Sequence, residues 1–240
     1  MPETIRVAIG SDHVTALAYP PPTASEPAVT LILAHGAGAP QTSDFMVDFA
    51  EALARRGSHT VTFNFLYTER GRRLPDRTGT LEAAFRAVIA AVRAHPPLAR
   101  GRLVIGGKSM GGRIASQIAA QGVTDLAGLV FLGYPLHPPG KPAMLRAAHL
   151  ARIRATMLFV QGSRDAFGTP GELAPVVEPL GPRARIHVVE GGDHSFAVPK
   201  RGPVPQEEVY TRVQDEIARW LLTLPGPHGQ RRSISTPPTS

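Results

Sequence analysis

The sequence predicts an α/β fold in which helices cover both faces of a mostly parallel sheet. Three observations predict it. From Val29 onward, apolar strand-like runs alternate with helical patterns, the order expected of strands joined by crossover helices. Several of the runs are continuously apolar, as parallel strands buried on both faces are. The helical stretches end on stop signals at Gly57, Pro96 and Gly122.

The chain opens with two extended segments, "IRVAIG" and "VTALAYP", separated by a short polar break that predicts a hairpin. A proline-rich connection, "YPPPTASEP", follows. Six further strands are read at "VTLILAHG", "HTVTFNF", "RLVIGG", "LAGLVFLGYP", "ATMLFVQG" and "ARIHVVEGG". Helices are expected over residues 43–56, with Ser43 as cap, and over 80–95 and 110–121. A weaker helix is read over 172–180, where Pro175 and Pro179 interrupt the pattern. In the last helix, 206–224, Val209, Val213, Ile217, Trp220 and Leu221 share a face, a stripe that reads as core packing. Residues 1–224 are expected to form a single domain, and 225–240 a disordered tail without periodic apolar residues. About 19 residues separate the sixth strand from the seventh, too few for a large lid.

Composition narrows the function classes. Of 240 residues 42% are hydrophobic and 19% charged, ordinary for a globular protein. No apolar run approaches the roughly 18 residues of a membrane span, and the N-terminus does not read as a signal peptide, so a cytoplasmic location is expected. There are 0 cysteines, which excludes disulfides, thiolate metal sites and a cysteine nucleophile. The formal charge is +7, but the basic residues are scattered and match no zinc-finger or RNA-binding pattern. A solvated basic surface is the reading, with no specific nucleic acid partner.

The chemistry is carried by "GGKSMGG", residues 106–112, which overlays two motifs. A P-loop, G-x-x-x-x-G-K-[ST], would need glycine at position 102, where Arg102 stands, and a loop where the sequence has an apolar strand. A nucleophile elbow, G-x-S-x-G, needs a strand, a sharp turn with Ser109 at its apex, and a helix, and all three are present. Lys108 then reads as an ordinary occupant of the elbow.

A serine hydroxyl is a weak nucleophile, so it requires a base and an orienting carboxylate. Asp165 in "QGSRDAFG" and His194 in "EGGDHSF" follow two successive strands, in the order Ser, Asp, His. Asp193 reads as a turn residue, Glu172 as part of a helix's first turn, and His35 as a structural residue bonding nearby backbone. An oxyanion hole needs two N–H donors. One is expected from Met110; the other is expected from "AHGAGAP", with Ala37 preferred and Gly38 the alternative.

With "AHGAGAP", "GGKSMGGR", "QGSRD" and "GGDHSF" in order, the chain resembles the α/β-hydrolase superfamily over approximately residues 5–224. It is similar to the compact, lidless branch of serine hydrolases related in core to dienelactone hydrolases. The resemblance implies a mostly parallel eight-stranded sheet, no metal or organic cofactor, and a small-molecule acyl substrate. It implies an esterase-like activity in which Ser109 attacks, His194 accepts its proton and Asp165 orients the imidazole. Dienelactone hydrolases use a cysteine nucleophile, so Ser109 departs from them and their substrate is not carried over. The substrate is expected beyond the strands' carboxyl ends, bordered by residues 65–79 and 133–142. Arg72, Arg73 and Tyr134 are the candidate substrate contacts there; the alternative for the two arginines is pairing with Glu69, Asp76 or other structural partners. The alternative function is a hydrolase-fold scaffold that uses its basic surface to hold a partner.

Overall fold

The computed structural model describes residues 1–22 and 29–225. The end of the proline-rich connection and the expected tail beyond Pro225 lie outside them. Strands β1 (Glu3–Ile9) and β2 (Asp12–Tyr19) form the expected antiparallel hairpin, with Ile9 opposite Asp12 across the turn. The rest alternates as β3 (Val29–Ala34), α1 (Asp44–Arg55), β4 (His59–Phe63), α2 (Leu66–Glu69), α3 (Thr78–Ala94), α4 (Pro96–Ala99), β5 (Arg102–Lys108) and α5 (Met110–Ala120). It continues through β6 (Leu126–Leu132), β7 (Thr156–Gly162), α6 (Pro170–Val177), β8 (Ala184–Val189) and α7 (Gln206–Thr223).

The eight strands form one sheet in the order β1-β2-β4-β3-β5-β6-β7-β8. Strand β2 pairs antiparallel with β1 and β4, and every pair from β4 to β8 is parallel. The parallel arrangement brings the carboxyl ends of β3, β5, β7 and β8 to one edge. Because the chain leaves β3 for β4 on one side and later returns to β5 on the other, a crevice opens at that edge.

Strand pleating divides the core into two layers. Ile32, Ile105, Phe131 and Phe159 point to one face, where Phe85 of α3 and Ile114 of α5 meet them. Their neighbours Leu31, Val104, Val130 and Leu158 point to the other, against Phe49 of α1 and Trp220 of α7. This is why the runs are continuously apolar. Each side chain so buried contributes about 1.5–3 kcal/mol. The stripe on α7 faces this second layer, with Trp220 only 2% exposed.

Several elements differ from the sequence expectation. Ser43 occupies the N-cap of α1 but makes no capping bond. The weak helix at 172–180 is α6 starting at Pro170, fixed by a capping box between Thr169 and Glu172, and a 3-10 turn over Glu178–Arg183. The short helices α2 and α4 carry too few residues for a periodic signal. Pro96, read as a stop, also opens α4, because proline suits a helix's first turn. Among the described residues no helix is long and apolar enough to cross a membrane.

Candidate active site

The elbow forms because three segments approach closer than side chains permit. Ser109 lies between β5 and α5 with φ 49 and ψ −114, a strained conformation for any residue with a Cβ. Its amide donates to the Leu132 carbonyl at 3.0 Å, which ties the turn to β6. A Cβ on Gly107 or Gly111 would lie 2.2 or 2.3 Å from the Ala34 carbonyl oxygen, so both positions require glycine. The strain lifts the Ser109 hydroxyl away from its own strand and helix.

The structure brings the three distant residues together around that hydroxyl. His194 Nε2 is 2.8 Å from Ser109 Oγ, and His194 Nδ1 is 2.8 Å from Asp165 Oδ2. The carboxylate marks Nδ1 as the protonated nitrogen, leaving Nε2 to accept from the serine. Asp165 is 1% exposed. Its Oδ2 also accepts from Gln161 Nε2 at 2.8 Å, and its Oδ1 accepts from the Phe167 amide at 2.8 Å. A buried carboxylate needs such donors, since an unpaired one would cost far more than they contribute. Asp193 Oδ1 accepts from the amides of Ser195 and Ala197, shaping the turn that presents His194.

Three supports of this arrangement carry little sequence signal. Gln161, fully buried, donates to Asp165 and to the Gly168 carbonyl at 2.7 Å while accepting from the Tyr134 amide at 2.8 Å. The Phe167 ring stacks on the His194 imidazole with centroids 4.2 Å apart. Lys108 is not an ordinary elbow residue: its ammonium is buried, donates to the His194 carbonyl and lies 5.8 Å from the Phe45 ring centroid. Burial pushes that ammonium down to about 8, with Asp165 and Asp193 opposing the shift. The one available cue was the position of Lys108 beside the apex, where a long side chain must cross toward a neighbouring loop.

His35 is a structural residue. Its Nδ1 donates to the Gly36 carbonyl at 2.7 Å, and its Nε2 accepts from the Phe65 amide at 3.2 Å. Burial pushes its pKa down to about 4, so the ring stays neutral and both bonds persist at physiological pH. The loop holding Ala37 is thereby pinned to the start of α2. Ala37 and Met110 both line the cleft beside Ser109, whereas Gly38 does not. Met110 opens α5, where the amides of a helix's first turn have no partner within the helix.

The cleft has a volume of about 530 Å³ and is walled by Phe45, Leu81, Pro135 and Phe167 as well as polar residues. The three residues expected to contact substrate are not on its wall. Arg72 pairs with Asp76 at 2.6 Å, since four residues of separation let the two side chains meet. Arg73 is exposed to solvent and is not among the residues that line the cleft. Tyr134 is 0% exposed, and its hydroxyl donates to the Arg146 carbonyl at 2.8 Å. Segment 65–79 instead reaches the cleft through Pro75, Asp76 and Thr78, while Arg70 binds Asp12 of the hairpin at 2.7 Å. Among the described residues no group of three or more His, Asp or Glu side chains is placed to hold a metal ion.

Comparison with known proteins places this geometry in context. An α/β-serine hydrolase homologue from Coxiella burnetii is 20% identical, with a TM-score of 0.72 over 91% of this chain and 97% of its own. Dienelactone hydrolase from Anabaena variabilis is 19% identical, with a TM-score of 0.72 over 93% and 98%. A lidless α/β serine hydrolase from Xanthomonas campestris is 20% identical, with a TM-score of 0.72 over 93% and 97%. At these identities the likeness shows the fold: an eight-stranded, mostly parallel sheet without a large lid domain. The model of the alpha/beta hydrolase domain matches residues 27–222, so the chain belongs to the alpha/beta hydrolase family.

Proposed function

We propose that the protein is a serine hydrolase that cleaves a carboxylic ester or related acyl bond of a small molecule. The observation that carries this reading is the hydrogen-bonded series Ser109–His194–Asp165, with both links at 2.8 Å, opening on a cleft. In the mechanism, His194 Nε2 takes the Ser109 proton as Oγ attacks the substrate carbonyl. Asp165 holds the Nδ1–H tautomer and stabilises the imidazolium that forms. The amides of Met110 and Ala37 stabilise the oxyanion of the tetrahedral intermediate. His194 then protonates the leaving group, and water cleaves the acyl-enzyme by the same route. No step calls for a metal or an organic cofactor.

Ser109→Ala is expected to lower ester hydrolysis by at least about 10³-fold while leaving circular dichroism and urea unfolding unchanged. Activity of that variant within tenfold of wild type would reject the mechanism. A fluorophosphonate probe should modify Ser109 stoichiometrically. Failure of the folded protein to react would instead favour a scaffold that retains the fold without the chemistry.

A further inference from the structure

The cleft beside Ser109 carries more positive charge than this mechanism uses. Lys108, Arg113 and Arg146 all line it, and Asp76 is the one carboxylate among its lining residues. Two of these four are already committed, Lys108 to the His194 carbonyl and Asp76 to Arg72. The guanidinium groups of Arg113 and Arg146 are not. Among the described residues neither has a hydrogen bond or an ion pair, whereas Arg56, Arg70 and Arg185 each hold a carboxylate.

The backbone keeps the two cations facing the cleft. Arg113 lies one turn of α5 beyond the elbow, its amide donating to the Ser109 carbonyl at 3.0 Å. Arg146 is fixed by its amide, which donates to the Leu136 carbonyl at 2.8 Å, and by its carbonyl, which accepts the Tyr134 hydroxyl. Tyr134 thus acts on the cleft from behind, as the buried anchor of the loop that carries Arg146. Arg113 is half-buried, and burial first and the like charge of Arg146 second push its pKa down. Tyr134 and Glu82 oppose that shift, but among the described residues no carboxylate is within ion-pair reach of either guanidinium, an arrangement that a bound anion would relieve. Forked guanidinium donors match the paired oxygens of an oxyacid.

We infer that Arg113 and Arg146 form an anion subsite, so that the ester attacked by Ser109 carries a second, ionised carboxylate or phosphate group. This assignment rests on the hydrolase reading above, and its test separates the two. Three p-nitrophenyl esters are compared: one with a terminal carboxylate, one with a terminal phosphate, and a neutral methyl-capped twin. Wild type is expected to favour at least one acidic ester over the neutral twin in kcat/KM by about tenfold or more. Arg113→Gln and Arg146→Gln should each lower that ratio about tenfold, and Arg113→Lys should recover part of it. Arg55→Gln, on the outer face of α1, controls for loss of one positive charge and should leave the ratio within twofold. The preferred acidic ester distinguishes carboxylate from phosphate. A wild-type ratio at or below one, or a ratio unmoved in both glutamine variants, overturns the subsite and leaves the hydrolase reading standing. Absence of turnover with all three overturns the hydrolase reading. The subsite is then judged by calorimetric titration of Ser109→Ala with succinate and with inorganic phosphate. Saturable binding of one anion, weakened about tenfold by adding Arg113→Gln, supports it; no binding of either, or equal affinity in both proteins, overturns it.

Discussion

Replacing Lys108 with Met keeps the length of a side chain that crosses from the elbow to the His194 loop and removes its charge. The folded protein holds the Lys108 ammonium down at about 8, from an ordinary value of 10.5, chiefly by burial. Unfolded chains therefore bind this proton more tightly than folded ones between those two pH values. Stability attributable to the site is fully present above pH 10.5 and is lost as pH falls through 8. Each pH unit of displacement is worth 1.36 kcal/mol, so the whole effect is about 3 kcal/mol. The quantity to measure is the unfolding free energy of wild type minus that of Lys108→Met, from urea titrations at pH 7.5, 8.5, 9.5 and 10.5. Titrations of all other groups cancel in this difference. It should climb by about 3 kcal/mol across the series, most steeply between pH 8.5 and 9.5. A difference that stays within about 0.5 kcal/mol across the series, or that falls, would refute the placement of a charged ammonium in a desolvated site.

Other residues give further tests. Gln161→Met removes a donor from Asp165 and a partner from the buried Tyr134 amide. It should lower kcat/KM by about 10- to 100-fold and unfolding free energy by about 1–3 kcal/mol; unchanged kinetics would show that Asp165 is oriented without it. His35, held down at about 4 from 6.5, makes the wild type lose up to about 3 kcal/mol as pH falls from 6.5 through 4. His35→Gln should lack that acid slope in urea titrations, and an identical slope in both proteins would contradict a buried neutral imidazole.

The fold was legible because its signals are repetitive. Continuously apolar runs, such as that of β3, follow from burial on both faces of a sheet, and no loop imitates them. The order Ser109, Asp165, His194 was legible for a related reason: each residue lies in the loop or turn that leaves the carboxyl end of β5, β7 or β8, so topology delivers it to the edge of the sheet. Arg72 and Arg73 were read as substrate contacts from their segment's place at that edge. For Arg72 the structure takes the alternative, a pair with Asp76 four residues away, and Arg73 faces solvent. Arg113, one helical turn past Ser109, lies inside "GGKSMGGR" and still gives no signal. A helix presents about one residue in four to any one direction. Which residue of α5 meets the cleft depends on the angle at which the elbow launches it.

That dependence identifies what the elbow does beyond presenting the Ser109 hydroxyl. Consecutive residues leave it in different directions: Lys108 to the His194 loop, Ser109 to His194 Nε2, and Met110 into the cleft with its amide at the helix start. One strained conformation at Ser109 therefore sets the hydroxyl, the proposed oxyanion donor and a tether on the His194 loop together. The His194 loop is in turn held at both ends of its chemistry, by Asp165 at Nδ1 and by Lys108 at the carbonyl. A substitution that relaxes the elbow would move all of these groups at once. The glycines that crowd against Ala34 are therefore as necessary to the proposed site as Ser109, His194 and Asp165, although none of them has a part in the proposed chemistry.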